Sequence, residues 1–148
     1  MDRLGRVSRI VIAGCLLGTA GCGQQYEGPS RGAVQGKVTL DGQLVKGGTI
    51  TFTPAQGTQG TTAGGDIVDG YYDIPEPKGP VAGKNRVAIS AQVKTGKQVP
   101  APPIAGPAGM MDEVIESIPP RFNQQTKLVK DIKSGQNTID FELSTVGQ

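Results

Sequence analysis

The chain has no histidine and no tryptophan, and its two cysteines, Cys15 and Cys22, both lie near the N-terminus. Without imidazole there is no Ser-His or Cys-His nucleophile pair, and the commonest general base and metal ligand are missing. Two cysteines so placed offer the rest of the chain neither a disulfide framework nor a zinc site. Aromatic residues are scarce, with three Phe and three Tyr among 148 residues. An excess of one charge is missing too. Once Arg3, Arg6, Arg9 and Asp2 are set aside with the N-terminal segment, the remaining basic and acidic side chains balance. A nucleic-acid partner requires a basic surface field, and no lysine or arginine cluster supplies one, so none is expected. No cofactor is expected either.

What is abundant is glycine, at 23 residues, with 11 prolines. Such a mixture suits short strands joined by tight turns, and it falls below the roughly 25–30% Pro+Gly that argues for full disorder. The length allows one domain.

The first nine residues carry three arginines and one acid, and residues 10–21 (IVIAGCLLGTAG) are uncharged and mostly apolar or small. This is the layout of an export signal, and it is shorter than the about 20 apolar residues a membrane-spanning helix needs. The segment ends in Leu17-Gly18-Thr19-Ala20-Gly21-Cys22, which resembles the lipobox of bacterial lipoproteins. Cys15 also follows small residues, but cleavage there would leave only five uncharged residues after Arg9. The resemblance implies removal of residues 1–21 and lipid on Cys22. Three acyl chains on that cysteine would hold the protein on a membrane, since stable anchoring takes more than one chain. It also implies, through Gln24 at the second position after the cysteine, an outer-membrane address in the cell envelope. Residues 22–32 are polar, contain Gly and Pro, and read as a lipidated tether.

Alternation marks the body of the chain. Residues 33–40 (AVQGKVTL) place Val34, Gly36, Val38 and Leu40 on one face, and residues 49–53 alternate threonine with Ile50 and Phe52. Asp41-Gly42 and Asp69-Gly70 are turn signals, the second joining residues 66–68 to residues 71–74 as a hairpin. Residues 57–65 read as a loop with a weak edge strand at 61–63. Residues 83–93 form the clearest central strand, with Val87, Ile89, Ala91 and Val93 on one face. Further strands are expected at 127–133 and 138–144, separated by a turn at 134–137. Ile139, Phe141 and Leu143 are expected to point inward. Residues 95–120 break the pattern with a proline-rich loop in which residues 110–118 have the spacing of two helical turns; so long a loop is often functional or disordered. Seven short strands with frequent turns predict an all-β domain over residues 33–144, a seven-stranded antiparallel β-sandwich.

Residues 34–54 (VQGKVTLDGQLVKGGTITFTP), 69–72 (DGYY) and 83–90 (GKNRVAIS) resemble carboxypeptidase regulatory-like, or transthyretin-like, domains. Residues 118–123 (IPPRFN) and 135–143 (GQNTIDFEL) are similar to small secreted lipoproteins of planctomycete-type bacteria. The resemblance implies a prealbumin-type Greek key and no reaction, because the matching positions are turn and core residues. Asn85 departs from it, standing where an aromatic residue is usual. Hydroxyisourate hydrolases share the fold but depend on histidines and a basic C-terminal motif that are absent here.

Candidate sites remain open at this level. Asp66, Asp69 and Asp73 crowd one hairpin, either as oxygen ligands for calcium or as solvated turn acids; their spacing is no calcium motif. Alternation sends one of Tyr71 and Tyr72 outward, where a ring such as Tyr71 can stack on a sugar. Met110, Met111, Val114 and Ile115 either form an apolar stripe for an envelope-protein partner or fold back to cover a sheet edge. Asp112, Glu113 and Glu116 read as a charged helical face rather than as acid/base groups. Arg121-Phe122-Asn123 is either a contact motif or a core plug with a turn cap. The expected function is that of a non-catalytic, lipid-anchored structural or interaction module, with small-ligand binding (carbohydrate or calcium) as the alternative. Cys22→Ser is expected to abolish both trimming and membrane retention. Intact mass and detergent partitioning of the protein check this; a trimmed, membrane-bound serine variant would refute it.

Overall fold

The structure, a computed structural model, describes residues 28–102 and 109–146. The leader, Cys22, most of the tether and the centre of the proline-rich loop therefore lie outside the described residues. The described chain is all-β. Its strands are β1 (Gly32–Leu40), β2 (Gln43–Leu44), β3 (Gly47–Pro54), β4 (Ala63–Val68), β5 (Tyr71–Ile74), β6 (Gly83–Ser90), β7 (Gln92–Pro100), β8 (Met110–Glu116), β9 (Val129–Ile132), β10 (Gly135–Thr138) and β11 (Phe141–Leu143). The expected strands correspond to β1, β3, β4, β5, β6, β9 and β11, and β2, β7, β8 and β10 come in addition.

Local chemistry sets the turns. Asp41 and Asp69 have φ of 49°, and the glycines after them have φ of 79° and 86°. Two successive positive-φ residues make the type I′ turn whose twist matches a hairpin. Leu40 accordingly pairs with Gln43, and Val68 with Tyr71. Alternation sets the faces. Val34, Val38, Ile50, Phe52, Val87 and Ile89 are wholly buried, each contributing about 1.5–3 kcal/mol of apolar burial.

The main strand path runs β10-β1-β5-β4-β3-β6-β9, with β2 and β11 also paired to β1. Its two outer strands, β9 and β10, are consecutive in the chain and separated only by Lys133 and Ser134. Seven strands laid flat at about 4.8 Å spacing would hold those edges about 29 Å apart, whereas three Cα steps span at most about 11 Å. The sheet must therefore roll up, and the roll encloses the core. Asn137 stitches the seam: its Nδ2 donates to the carbonyls of Ala33 (3.0 Å) and Lys133 (2.8 Å), and its Oδ1 accepts from the Lys133 amide (2.9 Å). The turn expected at 134–137 is thus largely strand, because β10 finds a partner in β1.

Among the described residues, β1 carries the only parallel pairing. Its first half runs parallel to β10 and its last three residues parallel to β11. Between the two ladders, Ile139 and Asp140 cross over Gly36. The Ile139 amide donates to the Gln35 carbonyl (2.8 Å), and the Asp140 carboxylate accepts from the Lys37 amide (2.8 Å). A Cβ on residue 36 would stand 1.9 Å from the Ile139 carbonyl oxygen, so the crossing requires glycine. Tyr72, inward-facing on β5, donates its hydroxyl to that same carbonyl at 2.7 Å. Its ring lies between Phe52 and Phe141, with centroids 6.4 and 6.2 Å away. Burial, then the nearby Asp140 charge, pushes its phenol above the ordinary value. Phe141 and Leu143 point inward as expected, while Ile139 is half-buried.

Asp41 ties down Ser144 and Thr145. Its carboxylate accepts from the Thr145 hydroxyl (2.6 Å), the Thr145 amide (2.9 Å) and the Ser144 hydroxyl (3.0 Å), and these bonds hold it below the usual carboxylate range. Arg121 donates to the Ser144 and Val146 carbonyls and lies 4.9 Å over the Phe122 ring. Asn123 is buried, donating to the Ile118 carbonyl (3.1 Å) and accepting from the Gln124 amide (2.5 Å). Arg121-Phe122-Asn123 is thus engaged within the fold. Asn85 is wholly buried, and its Nδ2 donates to the carbonyls of Val81 (2.8 Å) and Gly83 (2.9 Å).

Gly36→Ala is expected to cost about 2–3 kcal/mol by overpacking against backbone, and Tyr72→Phe about 1 kcal/mol for one hydrogen bond. Urea unfolding measures both. A glycine variant as stable as the parent would remove the crossing from its central place.

Candidate functional site

Two surfaces bring together residues that the sequence singled out. The first is an arm. The strand expected over residues 83–93 ends at Ser90, and Val93, expected to face the core, is 44% exposed. The break falls at buried Ala91. From there β7 leaves the rolled sheet and pairs only with β8, in a separate two-stranded ribbon. The two helical turns expected over 110–118 do not form; residues 110–116 are strand. Nor do the apolar residues fold back over a sheet edge. Met110, Met111, Val114 and Ile115 are 61, 43, 44 and 50% exposed. The ribbon turns helical spacing into strand spacing because β7 offers β8 a ladder partner along its length.

At its base the arm is anchored by polar groups. The Glu116 carboxylate accepts from the amides of Ala91 (2.8 Å) and Ile118 (3.0 Å), and the Ser117 amide and hydroxyl both donate to the Ala91 carbonyl at 2.8 Å. Along the arm, Val93 stands opposite Ile115 and Val99 opposite Met111. Alternation places these four on one face with Glu113 between the pairs. The other face carries Lys94, Gln98, Asp112, Val114 and Met110. There Lys94 and Asp112 form an exposed ion pair of 2.6 Å, which raises the lysine and lowers the aspartate from their ordinary values. Midway, Thr95, Gly96 and Lys97 bulge opposite Glu113 alone, with Gly96 at φ 83°. The Thr95 hydroxyl donates to Glu113 at 2.5 Å. The apolar face runs on into a groove of about 260 Å³ at the base, floored by Leu40, Leu44, Val45 and Ala91, with Val93 shared between groove and arm.

The second surface is a shallow groove of about 460 Å³ on the outer face of β1 and β5, lined by Gln35, Lys37, Tyr71, Asp73, Thr138 and Asp140 among others. Tyr71 is the outward ring of its pair, 58% exposed, whereas Tyr72 is buried. Asp73 lies opposite Gln35, and Tyr71 opposite Lys37. Of the three hairpin acids only Asp73 reaches this groove. Asp66 lies on β4 opposite Thr49, and Asp69 occupies the turn. Among the described residues no three acids gather as a metal site. Asp140 and Thr138 escaped sequence reasoning because they arrive through the parallel pairing at β1. Glu113 was read as one acid of a helical face, and only strand spacing sets it among apolar neighbours.

Comparison with family models, curated proteins and solved structures returns no match for this chain. Among the described residues no helix is long and apolar enough to cross a membrane.

If Glu116 anchors the arm, Glu116→Ala should speed hydrogen exchange at the Ala91 and Ile118 amides selectively, leaving β1 and β3 protected. Uniform exchange across the chain would contradict that local role.

Proposed function

We propose that this chain is a non-catalytic lipoprotein of the cell envelope, held at the outer membrane through lipid on Cys22, and that it works as a structural or protein-interaction module. The β7–β8 arm is the contact surface. The observation that carries this reading is a ribbon whose apolar side chains stand exposed beside an apolar groove. Contiguous exposed apolar surface on a soluble domain marks an interaction site. The basic leader, the apolar stretch and the cysteine at its end support the address. For the layer arrangement we favour a seven-stranded antiparallel sandwich of the transthyretin-like Greek-key type, a reading supported by the rolled main sheet and its continuous core.

A second reading, small-ligand binding, draws support from the Tyr71 groove. An exposed ring beside Lys37, Gln35, Asp73 and Asp140 has the mixture of stacking surface and polar groups that suits a carbohydrate. Calcium is less well served, because the hairpin acids are dispersed.

The arm can be removed cleanly. Val93 and Ile115 stand opposite each other, so replacing residues 94–114 with a two-residue Asn-Gly turn closes the ladder there and keeps Glu116 and Ser117, whose bonds hold the base. In-cell cross-linking of the full chain and of this variant is expected to show normal folding and lost envelope partners in the variant. Partners unchanged by the deletion would defeat the arm as contact surface. Loss of glycan-array binding in Tyr71→Ala, with partners intact, would favour the second reading.

A further inference from the structure

The arm's two free edges differ. That of β7 carries the Thr95–Gly96–Lys97 bulge, Lys94 and Pro100, all features that block the addition of another strand. β8 has none of them. Over Met110–Glu116 it holds no proline, no lysine and no bulge, and within the ribbon it pairs with β7 alone. Unpaired backbone donors and acceptors along such an edge recruit an extended segment by strand addition.

The side chains state what that segment looks like. On the apolar face β8 presents Met111, Glu113 and Ile115 at strand spacing, and Glu113, which accepts from the Thr95 hydroxyl on the β7 side, has no cation partner among the described residues. An added strand therefore meets an apolar, an acidic and an apolar side chain in turn. On the opposite edge of β8 the chain's own β7 already answers in kind, with Val93 and Val99 opposite Ile115 and Met111 and Lys94 reaching diagonally to Asp112 in an ion pair. A second copy fits poorly. Antiparallel pairing of two β8 edges in centred register sets Glu113 against its own counterpart, and like charges directly opposite destabilise a sheet. Pairing β8 with the outer edge of another copy's β7 meets the bulge and Pro100.

We propose that the free edge of β8 binds an extended non-self protein segment, with a lysine or arginine opposite Glu113 and apolar residues two positions to either side. This rests on the reading of the arm as the contact surface and names the partner's chemistry. Recognition is split between the backbone, which supplies the ladder, and Glu113, which selects charge.

The test uses the full chain and a synthetic pentapeptide, valine–threonine–lysine–threonine–valine, flanked by serines, at up to millimolar concentration in amide-resolved NMR titrations. Expected are shifts confined to β8 and its cross-strand neighbours. A glutamate-centred peptide should bind at least about tenfold more weakly, as for loss and reversal of one interfacial charge pair, and Glu113→Lys should reverse the order. N-methylation of alternate peptide amides should abolish binding, separating strand addition from a purely charged contact. Absent binding, equal affinity of the two peptides, or shifts centred elsewhere would overturn the proposal. So would a concentration-dependent dimer in sedimentation that Glu113→Lys disrupts. If the peptide fails while arm deletion still removes the cross-linked partners, the recognition rule falls and the contact surface stands. If deletion leaves the partners in place, both fall.

Discussion

The architecture depends on one close approach: the backbone of Ile139 lying against Gly36, its carbonyl held by the Tyr72 hydroxyl. That contact lets the C-terminal chain pass along β1 in two steps, pairing first as β10 and then as β11. A buried carbonyl without a partner would cost about 1–3 kcal/mol, and Tyr72 removes that cost while its ring fills the centre of the core. The same passage brings the ends of the strand path together. Without it β1 would be an open edge and the aromatic trio of Phe52, Tyr72 and Phe141 would be incomplete.

The arm obeys different physics. The rolled sheet is stabilised by apolar burial, whereas the ribbon has little of it: β7 has no buried residue, and β8 is exposed or half-buried throughout. A two-stranded ribbon alone is marginal in water. Its order comes from the Glu116 and Ser117 anchors at the base, the ladder itself and a few side-chain bonds along it. The arrangement joins a stable body to an exposed strand pair with one edge guarded and one open. The Tyr71 groove, by contrast, sits on the body itself, on the outer face of the paired strands β1 and β5.

Much of the body was legible from residues alone. Val34, Val38, Ile50, Phe52, Val87 and Ile89 fell on the buried face that alternation assigned them, both Asp-Gly pairs formed hairpin turns, and Tyr71 and Tyr72 divided outward and inward. The misreadings have separate causes. Met110, Val114 and Ile118 recur at helical spacing, yet the ladder with β7 prevailed over that local period, and Val93 became exposed once the chain broke at Ala91. The segment 134–137 has turn composition, but a parallel partner in β1 makes it strand.

By itself, then, the order of residues determined most strands of the body and its two Asp-Gly turns, which side chains face inward along those strands, and that no histidine-based chemistry is open to this chain. It did so because alternation and turn chemistry act within a few residues. The tertiary structure alone decided that β1 runs parallel to the C-terminal strands, that residues 92–116 stand away from the core, and that Glu113 lies between apolar neighbours. Those outcomes turn on contacts between segments up to about a hundred residues apart. A local pattern specifies the face a side chain takes, and only the assembled chain specifies what covers that face.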